Sequence, residues 1–427
     1  MQIEGPPMSH LRFVVPEDEF ARAFFQMPLD IATAAAALRE RGHTVSLWDR
    51  RVEVAPPDGP PVDGLILVTA IADRAQCYPL DIGPIKEAAR RARELHPGSW
   101  IVACGPHATQ LPEATLHELA VDHVSLGEVD AAAVYAADVL LHRGDDPVPA
   151  ILNSPAASLD ELPVPAFDLL PLQHYKAEVF DGGQLYQGPS GMIFAARGCT
   201  YGCTFCHLPF GTRMRTRPVD RVLAEVDALT ELGIKSAFFL DYVFGINPRF
   251  YGELCEGLRT RDLSWTGQTR TEIVLKSDVQ KWADAGCRGM WLGAESPAVA
   301  MTGVNKRVAE GDVHAAVAKL EAAGIQPFAF IIIGLPGDPA CLTGSIVDWV
   351  ASLPAKFGIN QLFLRPGTTL YEELAPRYLQ GRMPSTWDEV KQVTDAYRQE
   401  YPVDLNALEM ELLALPNNLG NGWTVHE

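Results

Sequence analysis

Three cysteines lie close together in the stretch "ARGCTYGCTFCHLPF", at Cys199, Cys203 and Cys206. The chain has only 8 cysteines in 427 residues, and the other five are scattered along it. Thiolates at this spacing can hold three irons of a [4Fe–4S] cube and leave the fourth iron open to an outside ligand. An open iron is a feature of catalytic clusters, so the spacing predicts a catalytic centre.

A structural zinc site is the alternative for these cysteines. Such a site normally takes four protein ligands in two separated pairs. His207 directly follows Cys206 and is poorly placed to complete a tetrahedron with it, and the sequence has no second Cys-x-x-Cys. Zinc binding, or plain packing of the thiols, therefore stays a minor alternative to the cluster.

Two series of predicted strands must position this loop, because strand-like and helix-like stretches alternate along nearly the whole chain. The first series predicts an N-terminal doubly wound, Rossmann-like α/β domain over residues 1–145. Its five strands start at Leu11, Thr44, Gly64, Ser99 and Asp122. Residues 146–187 are rich in Pro and Asp and are predicted to form a linker.

The second series predicts a (β/α)6 partial barrel over residues 188–370. Its six strands start at Met192, Ser236, Trp265, Gly289, Phe328 and Asn360. The cysteine loop follows the first of these strands, at the mouth where such barrels place their chemistry. Residues 371–427 are predicted to form a short, mostly helical C-terminal segment or lid.

The formal net charge of −19 argues against nucleic acid or an anionic membrane surface as a partner, because both favour clustered Lys and Arg. No apolar run reaches the roughly 18 residues that a membrane-spanning helix needs. The N-terminus, "MQIEGPPMSH", lacks the basic and apolar blocks of a signal peptide. We therefore expect a cytoplasmic protein, in which cysteines stay reduced and a cysteine cluster favours metal binding.

The spacing Cys-x3-Cys-x2-Cys, with the aromatic Phe205 before the last cysteine, resembles the motif of the radical S-adenosylmethionine (radical SAM) enzymes. The resemblance extends over the ends of the later strands, with "QTR", "GAES" and "IIIGLPG" in the family's order. It implies that the three cysteines hold the cluster and that SAM binds at the open iron. The implied SAM contacts are Phe205, Asp241, Arg270, Glu295, Ser296 and Gly334, with Lys306 and Arg307 as partners for the SAM carboxylate. Each of them taken singly is equally compatible with a capped strand end or a surface ion pair.

The first domain resembles the cobalamin-binding domain of B12-dependent radical SAM enzymes in "MPLDIATAAAALRERGHTVSLWD", "ACGPHATQLPEATL" and "VSLGEVD". No Gly-x-Gly-x-x-Gly follows its strands, which disfavours a dinucleotide. An Asp-x-His-x-x-Gly motif is also absent, so the resemblance implies cobalamin without a histidine lower ligand, with Arg74 and Gln76 as candidates for that face. The implied cobalamin contacts are Thr69, Ala70, Arg74, Gln76, Gly105, Pro106, His107, Gly127 and Glu128.

The resemblance implies a C-methyltransferase acting on a small-molecule or carrier-bound biosynthetic intermediate. In such enzymes a 5'-deoxyadenosyl radical from SAM removes a hydrogen atom from the substrate, and methylcobalamin delivers the methyl group. No acid/base catalytic residues are predicted. Two alternatives stay open: an enzyme that uses the same cofactors for rearrangement, ring contraction or cyclisation, and a non-enzymatic cobalamin or cluster sensor.

Two surfaces are predicted to serve partners. Aromatic residues of the C-terminal segment are predicted as substrate-cavity, lid or core residues: Trp387, Tyr397, Tyr401 and Trp423. An acidic electron donor such as flavodoxin or ferredoxin is predicted to use a basic patch near the cluster loop, formed by Arg213, Arg215, Arg217 and Arg221.

Overall fold

The computed structural model describes residues 8–17, 25–142, 146–177, 179–181, 184–297, 304 and 311–419. The contacts divide the chain into two units. The first consists mainly of Met27–His174 with Ala375–Lys391, and the second of Tyr175–Leu374 with residues from Gln392 on. Each unit is an α/β structure built on its own parallel sheet, which confirms the predicted fold class at this level.

The first unit contains a six-stranded sheet in the order β2-β1-β3-β4-β5-β6, with every pair parallel. The strands are β1 (His10–Val15), β2 (Thr44–Asp49), β3 (Gly64–Val68), β4 (Trp100–Cys104), β5 (His123–Leu126) and β6 (Ile151–Asn153). The helices are α1 (Leu29–Glu40), α2 (Gly83–Leu95), α3 (Pro106–Gln110), α4 (Pro112–Leu119) and α5 (Val129–His142). All residues of β1 and β3 are buried, as expected for strands covered on both faces.

The sixth strand of this sheet differs from the sequence expectation. The sequence predicts five strands and a linker from residue 146, whereas Ile151–Asn153 pairs with β5 as a short parallel strand. Three residues among prolines carry too little periodicity to indicate a strand, and the pairing comes from the neighbouring strand rather than from local preference. Short 3-10 turns lie at Ala72–Arg74, Leu159–Glu161, Phe167–Leu169 and Leu172–His174.

The second unit contains a six-stranded parallel sheet in the order β16-β15-β14-β13-β12-β9, and two small hairpins. Its strands are β7 (Phe180–Asp181), β8 (Gln184–Leu185), β9 (Gly191–Ile193), β10 (Ala196–Arg197), β11 (Arg215–Thr216), β12 (Ser236–Phe239), β13 (Ser264–Thr269), β14 (Cys287–Glu295), β15 (Gln326–Ile333) and β16 (Lys356–Gln361). Its helices are α6 (Val219–Glu231), α7 (Pro248–Leu258), α8 (Thr271–Lys276), α9 (Val279–Asp284), α10 (Asp312–Ala322), α11 (Pro339–Thr343) and α12 (Ser345–Ser352).

The last strand of this sheet begins four residues before its predicted start at Asn360. The apolar residues after it leave the ladder, because the N–H of Leu364 donates to the hydroxyl of Thr394 at 3.2 Å instead of to a neighbouring strand. Thr394 belongs to the C-terminal segment. This segment is helical, as the sequence predicts. Its helices are α13 (Thr369–Tyr378), α14 (Trp387–Glu400) and α15 (Leu405–Leu413). Among the described residues, no helix is both long and apolar enough to cross a membrane.

Candidate functional site

The three cysteines lie in one loop of the second unit, residues 198–214, which joins β10 to β11. These two strands pair antiparallel and close the loop at its base. Gly198 has φ +86°, and a Cβ there would lie 2.2 Å from the carbonyl oxygen of Arg213, so the turn requires glycine. The N–H of Cys199 donates to the carbonyl of Gly211 at 3.2 Å and draws the two sides of the loop together.

The three thiols of this loop are the predicted ligands of the cluster. Cys199 is buried, Cys203 and Cys206 are half-buried, and none of the three is disulfide-bonded. The N–H of Cys206 donates to the carbonyl of Cys203 at 3.2 Å, which folds both into one tight turn. Within the described ranges, no three His, Cys, Asp or Glu side chains converge as a single bound ion would require. Three thiols in one short loop are the donor set that a [4Fe–4S] cube with one open iron takes.

Asp241, at the end of β12, fixes the strand that leads into the cysteine loop. Its buried carboxylate accepts hydrogen bonds from the N–H groups of Ala195 and Ala196 at 2.8 and 3.0 Å, and from the hydroxyl of Tyr251 at 2.8 Å. Burial raises the pKa of Asp241 to about 6, although these hydrogen bonds work against the rise. The side chain thus positions the loop, and its predicted contact with SAM stays a prediction.

Replacing Asp241 by asparagine should remove a pH dependence of stability. The pKa of Asp241 is about 6 in the fold against an ordinary value of 3.8, so the folded protein binds this proton more tightly than the unfolded chain. The stability that it contributes at pH 4 is therefore lost as the pH rises through about 6. Between pH 4 and pH 7, the free energy of unfolding of D241N is therefore expected to rise by about 2 kcal/mol relative to that of wild type. Urea unfolding of both proteins at several pH values measures these free energies. An equal pH dependence for D241N and wild type would contradict the prediction.

One residue of the predicted basic patch is not on the surface. Arg217 is buried, and its Nη1 donates to a carboxylate oxygen of Glu225 at 2.5 Å and to the carbonyl of Phe194 at 2.9 Å. The inclusion of Arg217 in an exposed patch is therefore wrong, because its charge is paired in the core. Burial raises the pKa of Glu225, and the charge of Arg217 opposes that rise. Arg213 and Arg221 are exposed.

Arg270, which follows β13, contacts the cysteine loop through its side chain. Its guanidinium donates to the sulfur of Cys203, with Nη1 and Sγ 3.3 Å apart. The sequence resemblance predicts Arg270 as a SAM contact and gives no sign of this bond. Phe205, the aromatic residue of the motif, is half-buried in the same loop. The predicted carboxylate partners Lys306 and Arg307 lie outside the described residues.

The predicted pair Glu295 and Ser296 sits at a distortion of the sheet. The β14–β15 register shifts between Gly293 and Glu295, and Glu295 adopts φ +53°, a left-handed conformation that is costly for a residue with a side chain. The hydroxyl of Ser296 donates to a carboxylate oxygen of Asp338 at 3.0 Å. The buried Asp338 also caps α11 by accepting the N–H of Ala340 at 3.0 Å. It ties the ends of β14 and β15 together, and sequence reasoning missed it.

Gly334, after β15, is enclosed by the C-terminal helices. It has φ +85°, and a Cβ there would lie 2.9 Å from the Leu405 side chain. Its carbonyl accepts the hydroxyl of Tyr397 at 2.7 Å, and the carbonyl of Leu335 accepts that of Tyr401 at 2.9 Å. These tyrosine hydroxyls hold the turn after β15, so in this structure they serve as positioning groups for the backbone. Trp423 lies outside the described residues.

In the first unit, the predicted cobalamin residues Thr69 and Gly105 meet at the ends of β3 and β4. Gly105 has φ +114°, and a Cβ there would lie 2.7 Å from the Oγ1 atom of Thr69. This buried hydroxyl has no hydrogen-bond partner among the described residues. An unsatisfied buried hydroxyl beside a position without a side chain fits a polar ligand group that approaches the backbone closely. Ala70 and Pro106 are buried next to them.

Gly127, after β5, extends this arrangement. Its N–H donates to the Thr109 hydroxyl at 3.1 Å, and that hydroxyl donates to the carbonyl of Gly105 at 2.9 Å. Gly127 has φ +111°, and the following Glu128 is buried. The carboxyl ends of three adjacent strands are thus brought together, which is where open parallel sheets bind ligands.

His107 is buried in an aromatic cluster. Its Nε2 donates to the carbonyl of Pro79 at 2.7 Å, and its ring lies edge-on to Tyr78 and Trp387, with centroids 4.9 and 4.7 Å apart. The indole N–H of Trp387 donates to the hydroxyl of Thr115 at 3.0 Å. These contacts favour packing over the predicted role of His107 at the cofactor's tail, which stays a prediction.

The Pro79 and Tyr78 contacts also hold the loop that contains the two lower-face candidates. Arg74 and Gln76 are half-buried in this loop, which follows β3. Their predicted placement under the cobalt stays a prediction.

Residues 193–350 match the family model of the Radical SAM superfamily. The chain is 29% identical over 315 residues to an uncharacterized methyltransferase, PH0819, of Pyrococcus horikoshii, covering 66% of this chain and 65% of that protein. It is 26% identical over 374 residues to hopanoid C-3 methylase of Methylococcus capsulatus, covering 82% of this chain and 69% of the methylase.

Among solved structures, the chain resembles the radical S-adenosylmethionine methyltransferase TsrM of Kitasatospora setae, determined with cobalamin and a [4Fe–4S] cluster bound. The TM-score is 0.68 at 18% identity, and the match covers 88% of this chain and 79% of TsrM. The likeness establishes a common fold. The cysteine loop lies inside the matched radical SAM segment, and the named relatives are methyltransferases. Residues 193–350 therefore form a radical SAM domain, and the chain is similar to proteins named as methyltransferases over 66% and 82% of its length.

Proposed function

We propose that the chain is a C-methyltransferase that uses a [4Fe–4S] cluster, SAM and cobalamin to methylate a small-molecule or carrier-bound biosynthetic intermediate. The observation that carries the proposal is the loop of Cys199, Cys203 and Cys206 within a radical SAM domain. Methyl transfer is supported by the names of the relatives. Two further relatives are named for tryptophan and for a pantetheinyl carbapenam, which supports small and carrier-bound substrates.

The residues of the chain have distinct proposed roles. When bound, the cluster and SAM supply radical chemistry and cobalamin supplies a methyl group. The three cysteines hold the cluster, and Asp241 fixes the strand before their loop. Thr69 and Gly105 receive a polar group of cobalamin, without a histidine ligand below the cobalt. We further infer that the six-stranded sheet curves into a partial barrel with the cluster loop at its mouth.

The proposal is tested by anaerobic incubation of the reconstituted protein with SAM and a strong reductant, with and without cobalamin. Mass spectrometry should detect both 5'-deoxyadenosine and S-adenosylhomocysteine when cobalamin is present, because hydrogen abstraction and methyl transfer consume separate SAM molecules. S-adenosylhomocysteine should be lost without cobalamin. Formation of 5'-deoxyadenosine alone, whether or not cobalamin is present, would contradict methyl transfer.

Electron delivery is proposed to occur at two exposed arginines, Arg213 within the loop of residues 198–214 and Arg221 on α6. Replacing Arg213 and Arg221 together by glutamine is expected to slow reduction by a flavodoxin about tenfold, since charge steering accelerates association with an acidic partner. Dithionite should reduce the variant as fast as wild type. Arg249→Gln, an exposed arginine on α7, is the matched control. Equal stopped-flow rates with flavodoxin for wild type and the double variant would remove this docking site.

A further inference from the structure

Arg270 brings a buried positive charge to one of the three cluster cysteines. Its Nη1 lies 3.3 Å from the Sγ atom of Cys203, and its guanidinium carbon lies 3.8 Å from the centre of the Tyr201 ring. Its Nε donates to a carboxylate oxygen of Glu272 at 2.5 Å. Because Arg270 is only 7% exposed, water screens these interactions little.

The surrounding backbone holds this side chain in place. Arg270 lies between the end of β13 and the start of α8. The preceding Thr269 donates its hydroxyl to the carbonyl of Phe244 at 2.6 Å, which fixes the end of the strand. An arginine guanidinium stays protonated in proteins, so Arg270 carries a positive charge beside the sulfur.

We propose that Arg270 raises the reduction potential of the cluster through its charge-assisted hydrogen bond to Cys203, and that Glu272 opposes this effect. The inference rests on the proposed function in that Cys203 must be a cluster ligand. The step is a one-electron reduction of the cluster by an external carrier of the flavodoxin or ferredoxin class, and no bond at Arg270 forms or breaks.

The direction of each effect follows from charge. The reduced cluster carries one more negative charge than the oxidised cluster. A nearby positive group and a hydrogen bond to a ligand sulfur therefore stabilise the reduced form. The carboxylate of Glu272 partly cancels the positive charge of Arg270. Removing one partner and removing the other should shift the potential in opposite directions, which a purely structural role would not produce.

Three variants test this assignment: Arg270→Gln, Arg270→Lys and Glu272→Gln. At a fixed applied potential, R270Q is expected to lower the ratio of reduced to oxidised cluster about tenfold, which is 59 mV for a one-electron couple. R270K keeps the charge but loses the planar fork, so its ratio should fall between R270Q and wild type. E272Q should raise the ratio above wild type. Redox titration followed by electron paramagnetic resonance measures these ratios.

Arg288→Gln, which replaces an exposed arginine on β14, is the matched control and should keep the wild-type ratio. Iron content and melting temperature show whether each variant folds and holds its cluster. If R270Q loses the cluster, R270K and E272Q still decide the question. Unchanged ratios, or shifts of R270K and E272Q in the same direction, would overturn the role of Arg270. A wild-type protein that assembles no cluster would instead contradict the proposed function.

Discussion

Replacing Cys203 by alanine is expected to abolish formation of 5'-deoxyadenosine from SAM. In the proposed site Cys203 supplies one of three thiolates, and the loop offers no fourth cysteine to take its place. Loss of a residue that hydrogen-bonds to a metal ligand already costs about 10- to 100-fold in metal affinity or activity. Loss of a ligand itself should therefore cost more. Mass spectrometry of the SAM products and iron analysis of the reconstituted variant measure the effect.

Cys255→Ala is the matched control for this substitution. Cys255 is a buried cysteine on α7, outside the loop of residues 198–214. Its replacement removes a thiol from the core and should lower the melting temperature while leaving the iron content at the wild-type level. If C203A kept wild-type iron content and 5'-deoxyadenosine formation, the cysteine loop would not be the cluster site.

Gly105→Ala is expected to weaken cobalamin binding about tenfold or more, which corresponds to 1.4 kcal/mol or more. The added Cβ would meet Thr69 Oγ1 at 2.7 Å and the backbone nitrogen of Ala70 at 3.3 Å, at the position proposed to receive the cofactor. The residue also has φ +114°, so alanine adds backbone strain of about 1–3 kcal/mol. Titration of the cobalamin-free protein with hydroxocobalamin, followed by visible absorption, measures the affinity.

Gly42→Ala separates backbone strain from obstruction of the site. Gly42 has φ +88°, and a Cβ there would have no heavy atom within 4 Å. It should lower the melting temperature less than G105A does, because it adds strain without a clash, and it should bind cobalamin as wild type does. Equal affinities for G105A and G42A would mean that cobalamin does not approach Gly105.

The sequence predicts those features that depend only on residues close together in the chain. The fully buried strands β1 and β3 appear as continuous apolar runs, and Cys199, Cys203 and Cys206 lie within eight positions of each other. Both therefore produce local patterns that need no knowledge of the fold. The same holds for the alternation of strands and helices, which indicates parallel sheets in both units.

Contacts between distant residues could not be predicted in this way. Arg270 and Cys203 are 67 positions apart, and Trp387 and Thr115 are 272 positions apart. Nothing in the sequence near Arg270 distinguishes a donor to a cluster sulfur from a ligand of SAM. The burial of Arg217 is not predicted for a related reason, since its partner Glu225 is eight positions away and only the fold buries the pair.

The most direct test of the proposed function is the cofactor content of the anaerobically reconstituted protein. Iron and sulfide analysis, electron paramagnetic resonance and visible absorption should show one [4Fe–4S] cluster and one cobalamin bound per chain. We expect C203A to lose the cluster and keep cobalamin, and G105A to keep the cluster and bind cobalamin weakly. A wild-type protein that holds a cluster but binds no cobalamin would contradict the proposed methyltransferase.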